Sequence, residues 1–94
     1  MIDRQPSEIG QSVRLGRYRH FKGGEYDVLA VGRLSEQREQ EVVIYRSITL
    51  GTVLVRPLEM FLEIVDRPDF SYHGPRFVYF ESNKTKKISR RPAL

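Results

Sequence analysis

His20 is the first side chain in this sequence that could do chemistry. It sits in the block Tyr18-Arg19-His20-Phe21-Lys22-Gly23-Gly24-Glu25-Tyr26, which places three aromatics, three potential cations and a Gly-Gly pair within nine residues. An imidazole with an unperturbed pKa near about 6.5 can serve as a general base or contact an anion. The plainer reading is a solvated strand residue ahead of a turn. His73, the other histidine, lies far along the chain in a Gly/Pro-bounded stretch. No His-x₃₋₅-His spacing makes metal ligands of them, so neither a metal nor a cofactor is expected.

Nucleophilic catalysis needs an activated Ser, Thr or Cys beside a base. The chain has no cysteine and no Gly-x-Ser-x-Gly, and Ser35, Ser47, Thr52 and Ser71 stand in no motif. The pairs Glu59/Glu63 and Asp66/Asp69 have spacings typical of a solvated face. Gly23-Gly24 precedes a strand, whereas phosphate loops lead into a helix N-terminus.

Arginine and tyrosine carry the stronger recognition signal. Tyr45 beside Arg46, and Tyr18 between Arg17 and Arg19, are candidates for an exposed stacking pair. Arg and Tyr together suit bases, phosphates or peptide carboxylates; the plainer reading has arginine stems covering the walls of the fold. Arg56-Pro57 and Pro75-Arg76 hold an Arg on a stiff backbone, suited to a salt bridge with Glu59 or Glu81, or to an anion. The candidate ligand-binding set is therefore Arg17, His20, Lys22, Tyr45, Arg46, Arg56 and Arg76.

Charge distribution qualifies the basic character. The net charge is +4. Of 16 cations, five (Lys84, Lys86, Lys87, Arg90, Arg91) fall in residues 82–94, which contain no acid; the other 81 residues hold 11 cations against 12 acids. The basic segment is expected to be a disordered tail able to give weak, sequence-independent contact with nucleic acid. Short basic tails also occur simply as solubilising ends, and that reading is slightly favoured.

The elements that must position these residues read as strands. Residues 1–12 are polar and read as a flexible arm, and 13–81 as a single domain. Gly16–Phe21 and Tyr26–Gly32 flank a glycine turn. Arg33–Gln40 is an exposed loop. Glu41–Ile48 and Thr52–Arg56 form a second hairpin around Thr49-Leu50-Gly51. Pro57 stops that strand and suits the start of a helical turn. The spacing of Leu58, Phe61, Leu62 and Val65 fits a helix face, but one helical turn followed by a short strand is preferred. Asp66–Pro75 reads as a loop and Arg76–Phe80 as the last strand. An all-β fold follows: a small five-stranded barrel or sandwich with one short helical turn. No apolar run approaches the ~20 residues of a membrane span, the N-terminus lacks an apolar signal core, and the missing cysteines lean toward a reducing compartment. A soluble, cytoplasmic protein is expected.

Gly16–Tyr26, Val28-Leu29, Val42–Tyr45, Val55–Phe61 and Pro75–Phe77 together resemble the bacterial DUF1653 family of unknown function. The resemblance spans residues 16–80 and implies an SH3-like β-barrel, without a mechanism. Relatives often read His-Ser-Glu-Thr where this chain has Leu34-Ser35-Glu36-Gln37, and Trp where it has Leu54. The functional expectation is a non-enzymatic module recognising a peptide or protein partner. The alternatives are nucleic-acid binding through the tail and exposed Tyr/Arg, and a small enzyme using His20.

Overall fold

The glycine turn after Phe21 sets the first hairpin. In the computed structural model, which describes residues 6–81, Gly23 takes φ +107°, a conformation that β-carbon sterics deny to most residues. The His20 N–H donates to Gly24 O at 2.8 Å, and the Gly23 N–H to His20 O at 2.8 Å. This reversal lays β1 (Gly16–His20) antiparallel to β2 (Glu25–Arg33), with Tyr18 opposite Tyr26. A register shift between Val28 and Ala30 interrupts the pairing of β2 with β3 (Glu41–Ser47). Such a bulge increases the local twist. β4 (Val53–Pro57) returns along β3 after a turn in which Gly51 has φ +75°.

Pro57 closes β4 and leads into α1, a one-turn helix over Leu58–Phe61 and one of two such turns among the described residues, where the sequence predicts one. The turn buries Leu58 and Phe61 and leaves Glu59 and Met60 exposed. Leu62 is exposed too, so the apolar spacing does not extend into a longer helix. One turn followed by a strand is what forms. β5 (Ile64–Arg67) and β6 (Tyr72–Pro75) then pair as a separate hairpin across the 3₁₀ turn Pro68–Phe70. The sequence reading took 66–75 as loop. These strands are four residues each, with Pro68 and Pro75 at their ends, so no local periodicity announces them. β7 (Phe77–Glu81) runs antiparallel to β1.

The main sheet has the order β4-β3-β2-β1-β7, and β5-β6 form a second sheet. There are thus seven strands among the described residues rather than five. β4 and β7 stand at opposite edges and no ladder joins them, so no closed barrel is formed. The chain between them is used for α1 and the β5–β6 hairpin.

Alternation along the strands decides what is core. Tyr18, Val28, Val43, Tyr45 and Phe77 share the inner face, where Leu58 and Phe61 cover them. Phe61 stacks on Phe77 with centroids 4.3 Å apart, and Tyr18 meets Phe61 edge-on at 5.3 Å. Truncating such a buried Phe to Ala costs about 3–5 kcal/mol. Arg17, Asp27 and Arg46 are register neighbours across β1, β2 and β3 on the outer face.

The polar stretch before Val13 contains a capped helical turn, Glu8–Gln11. Ser7 caps it by accepting from the Gly10 N–H, and donates its own N–H to Glu41 Oε2 at 2.8 Å. A β-carbon on Gly10 would come within 2.6 Å of that same oxygen. Glycine leaves room for that carboxylate beside the turn.

Candidate functional site

His20 ends β1 opposite Phe77 of β7. Its ring stacks on Phe21 at 4.5 Å and meets Phe77 edge-on at 4.9 Å. The Lys22 N–H donates to His20 Nδ1 at 3.1 Å. Because Nδ1 accepts, a neutral ring carries its proton on Nε2. Partial burial pushes the His20 pKa down to about 4, and the positive charges of Arg56, Arg76, Lys22 and Arg67 push the same way. Near neutral pH His20 is therefore an uncharged donor held among four cations.

Each cation arrives from a different place. Arg56, at the end of β4, donates from Nε to the Tyr45 hydroxyl at 3.0 Å and lies 5.6 Å from the Phe77 ring centroid. Arg76, between β6 and β7, donates to Met60 O and to Glu63 Oε1. Lys22, at the tip of the first hairpin, lies 5.8 Å from the Phe70 centroid. Arg67, at the end of β5, is 5.1 Å from both Phe21 and Phe70 and is held bidentately by Asp69. That guanidinium keeps the Asp69 carboxyl below its usual range. Arg76 and Arg67 are thus matched by Glu63 and Asp69. Arg56 and Lys22 are in no ion pair among the described residues, so they leave the cluster positive. Beside it a shallow groove of about 300 Å³ is lined by Arg19, His20, Phe21, Gly23, Tyr72, Val78 and Phe80.

The structure brings together His20, Lys22, Arg56 and Arg76 of the sequence-derived set, and separates the rest. Tyr45 is buried at 3% exposure, so it forms no exposed stack with Arg46. Neighbours in a strand point to opposite faces, and Arg46 faces out. The same alternation buries Tyr18 between Arg17 and Arg19. Tyr45 keeps a part in the site through its hydroxyl. Arg17 is a structural residue: its Nε bonds Asp27 Oδ1 at 2.8 Å. Arg56 pairs with neither Glu59 nor any other described carboxylate, and Arg76 takes Glu63. Lys84, Lys86, Lys87, Arg90 and Arg91 lie outside the described residues.

Arg67, Phe70 and Tyr72 were missed. Arg67-Pro68-Asp69 carries a signal in hindsight, since a Pro-led turn lets the flanking charges meet.

The hydrogen bond to the His20 ring comes from a backbone amide, and among the described residues neither a carboxylate nor a hydroxyl partners it. No group of three His, Cys, Asp or Glu is placed to hold a metal among the described residues. No helix among them is long and apolar enough to cross a membrane.

The family model for DUF1653, a protein of unknown function, matches residues 16–79. The chain belongs to the DUF1653 family. The match begins at β1 and takes in every residue of the His20 cluster. Among solved structures, the chain is similar to a crystal structure of a DUF1653 protein from Bordetella bronchiseptica, with 32% identity and a TM-score of 0.69. The likeness covers 78% of this chain and 94% of the other. No curated protein matches it. The DUF1653 relationship accounts for the fold and carries no activity with it.

Proposed function

We propose that this chain is a binding module whose His20 cluster takes a carboxylate presented by a peptide or protein partner. The observation that carries this reading is Arg56. Its Nε is engaged by the Tyr45 hydroxyl, which orients the guanidinium while no acid among the described residues neutralises it. A pre-oriented guanidinium suits a planar carboxylate, which it can bind through two parallel hydrogen bonds. The neutral His20 supplies Nε2–H as a further donor, and Lys22 adds charge at the rim. Phe21 and Tyr72, which flank His20 in the adjoining groove, suit an apolar residue next to the acidic one. We also read the open sheet with its hairpin annex as a variant of the SH3-like class, in which grooves between loops take peptides.

Charge balance favours a single anionic group over a polyanion. The first 81 residues carry 11 cations and 12 acids, so positive potential is local to the cluster. The test is an NMR titration of the full ¹⁵N-labelled chain. The probes are a short peptide of Glu and Phe, its Gln counterpart, inorganic phosphate and a single-stranded oligonucleotide. Amide shifts at Lys22, Arg56 and Phe77 with the acidic peptide, lost with the Gln peptide, support the reading. Equal response to both peptides overturns it. Tighter binding of the oligonucleotide at the same amides favours nucleic acid instead.

A further inference from the structure

β4 is an edge strand whose first three residues carry no device that protects an edge. Natural edges are blunted by charge, proline or bulges, because an unpaired strand is a template for another chain. Val53, Leu54 and Val55 are 53%, 37% and 57% exposed, and no ladder is formed on the side away from β3. Thr49 to Val55 contains no charged residue. Charge and proline appear only at the end of the strand, at Arg56 and Pro57.

The strand is also its own complement. When Val-Leu-Val is laid antiparallel against itself about Leu54, Val53 meets Val55, Leu54 meets Leu54, and Val55 meets Val53. Cross-strand β-branched and aliphatic pairs of this kind stabilise sheets, and a two-fold contact requires the same patch on both sides. No like charges meet at the axis. In the same register, Leu50, 78% exposed, approaches the α1 turn of the other copy, where Met60 is exposed.

We infer that β4 is the two-fold seam of a homodimer, in which the five-stranded sheets of two copies join edge to edge. The occupant is a second copy because the Val53–Val55 centre is uncharged and self-complementary, and in this register each Arg56 falls opposite Thr52, away from the other Arg56. The inference is independent of the anion site but bears on it. Directly opposed residues share a sheet face, so the two Arg56 residues lie on one face, separated by about four residues, or roughly 14 Å along the strand. A dimer would thus present two anion sites to one partner.

A single strand edge buries less than the ~1,600 Å² of a standard interface, so the dimer is weak. Analytical ultracentrifugation of the full chain across concentration is expected to show a monomer–dimer equilibrium. Leu54→Lys and Leu54→Glu place like charges at the axis, and each alone is expected to be monomeric. An equimolar mixture is expected to regain a 1:1 dimer, because position 54 opposes itself. Circular dichroism of each variant checks that it folds. If a variant fails to fold, Thr52→Cys and Leu54→Cys replace it in a chain with no other cysteine. Oxidation is then expected to cross-link position 54 rapidly and position 52 slowly. A wild-type protein that is monomeric at all concentrations overturns the inference. So does a mixture that stays monomeric, open-ended association beyond the dimer, or equal cross-linking at both positions.

Discussion

Two clusters of arginine in this small molecule behave in opposite ways. On the outer face of β1 and β2, Arg17 bonds Asp27 and Arg19 bonds Glu25, pairs dictated by strand register. At the His20 end, the cations come from two strand ends, a hairpin tip and a junction, and only some of them meet an acid. Register places opposite charges together when both lie in paired strands. Arg56 lies opposite Val43 and Arg67 opposite Tyr72, so register gives neither of them an acid. Charge left over in a nearly neutral domain therefore collects where the cross-strand neighbour carries no opposite charge, and that is where a ligand can use it.

The largest effect that tests this contrast is Arg17→Ala. Asp27 is buried at 7% exposure, and removing its partner strands a carboxylate, at a cost of about 3 kcal/mol. Urea unfolding is expected to show a clearly lower midpoint, with acidic-peptide affinity unchanged in the folded protein. Arg56→Gln should do the reverse. About tenfold weaker peptide binding, equal to ~1.4 kcal/mol, should accompany a small change in the midpoint. Loss of stability without loss of binding would place Arg56 with Arg17 as a structural residue.

The pH response separates the clusters next. His20 has a folded pKa near 4, against about 6.5 unfolded. The unfolded chain then binds more protons between these values, so His20 makes stability rise with pH through that window and fall as pH drops toward 4. NMR titration of the His20 ring should give a midpoint near 4 in the free protein, and a higher one in Arg56→Gln. A bound carboxylate should raise it further, so peptide affinity should strengthen as pH falls from neutral until the peptide itself protonates. A midpoint near 6.5 in the wild type would mean that neither burial nor the cations act on the ring. The smallest effect belongs to Arg19→Ala. Its pair with Glu25 is solvent-exposed, and loss of less than about 1 kcal/mol is expected, measurable as a slight shift in the urea midpoint.

Much of this fold is written locally. Gly23 and Gly51 mark both hairpins of the main sheet, and the β-branched runs around Val28 and Val42 mark its centre. The helical turn at Leu58 follows from Pro57 and the apolar spacing. β5 and β6 escaped because their pairing depends on a Pro-led turn and on tertiary support, with only four residues per strand. The site was half visible for a related reason. His20, Lys22, Arg56 and Arg76 are conspicuous as residue types beside glycine and proline. Tyr45 with Arg46 was misleading, because adjacency along a strand means separation in space. Arg67 lay in a segment read as loop, so nothing directed it toward Phe21.

Arg76 has a further consequence. Its backbone N–H donates to Glu63 O, its carbonyl accepts from the Phe21 N–H, and its side chain reaches Met60 O and Glu63. The first hairpin, the end of α1 and the start of β7 are fastened to one residue. The disorder that would otherwise oppose capture of a ligand is removed when the chain folds. A site built this way should bind with little change in shape, and its amides should exchange with solvent as one cooperative unit.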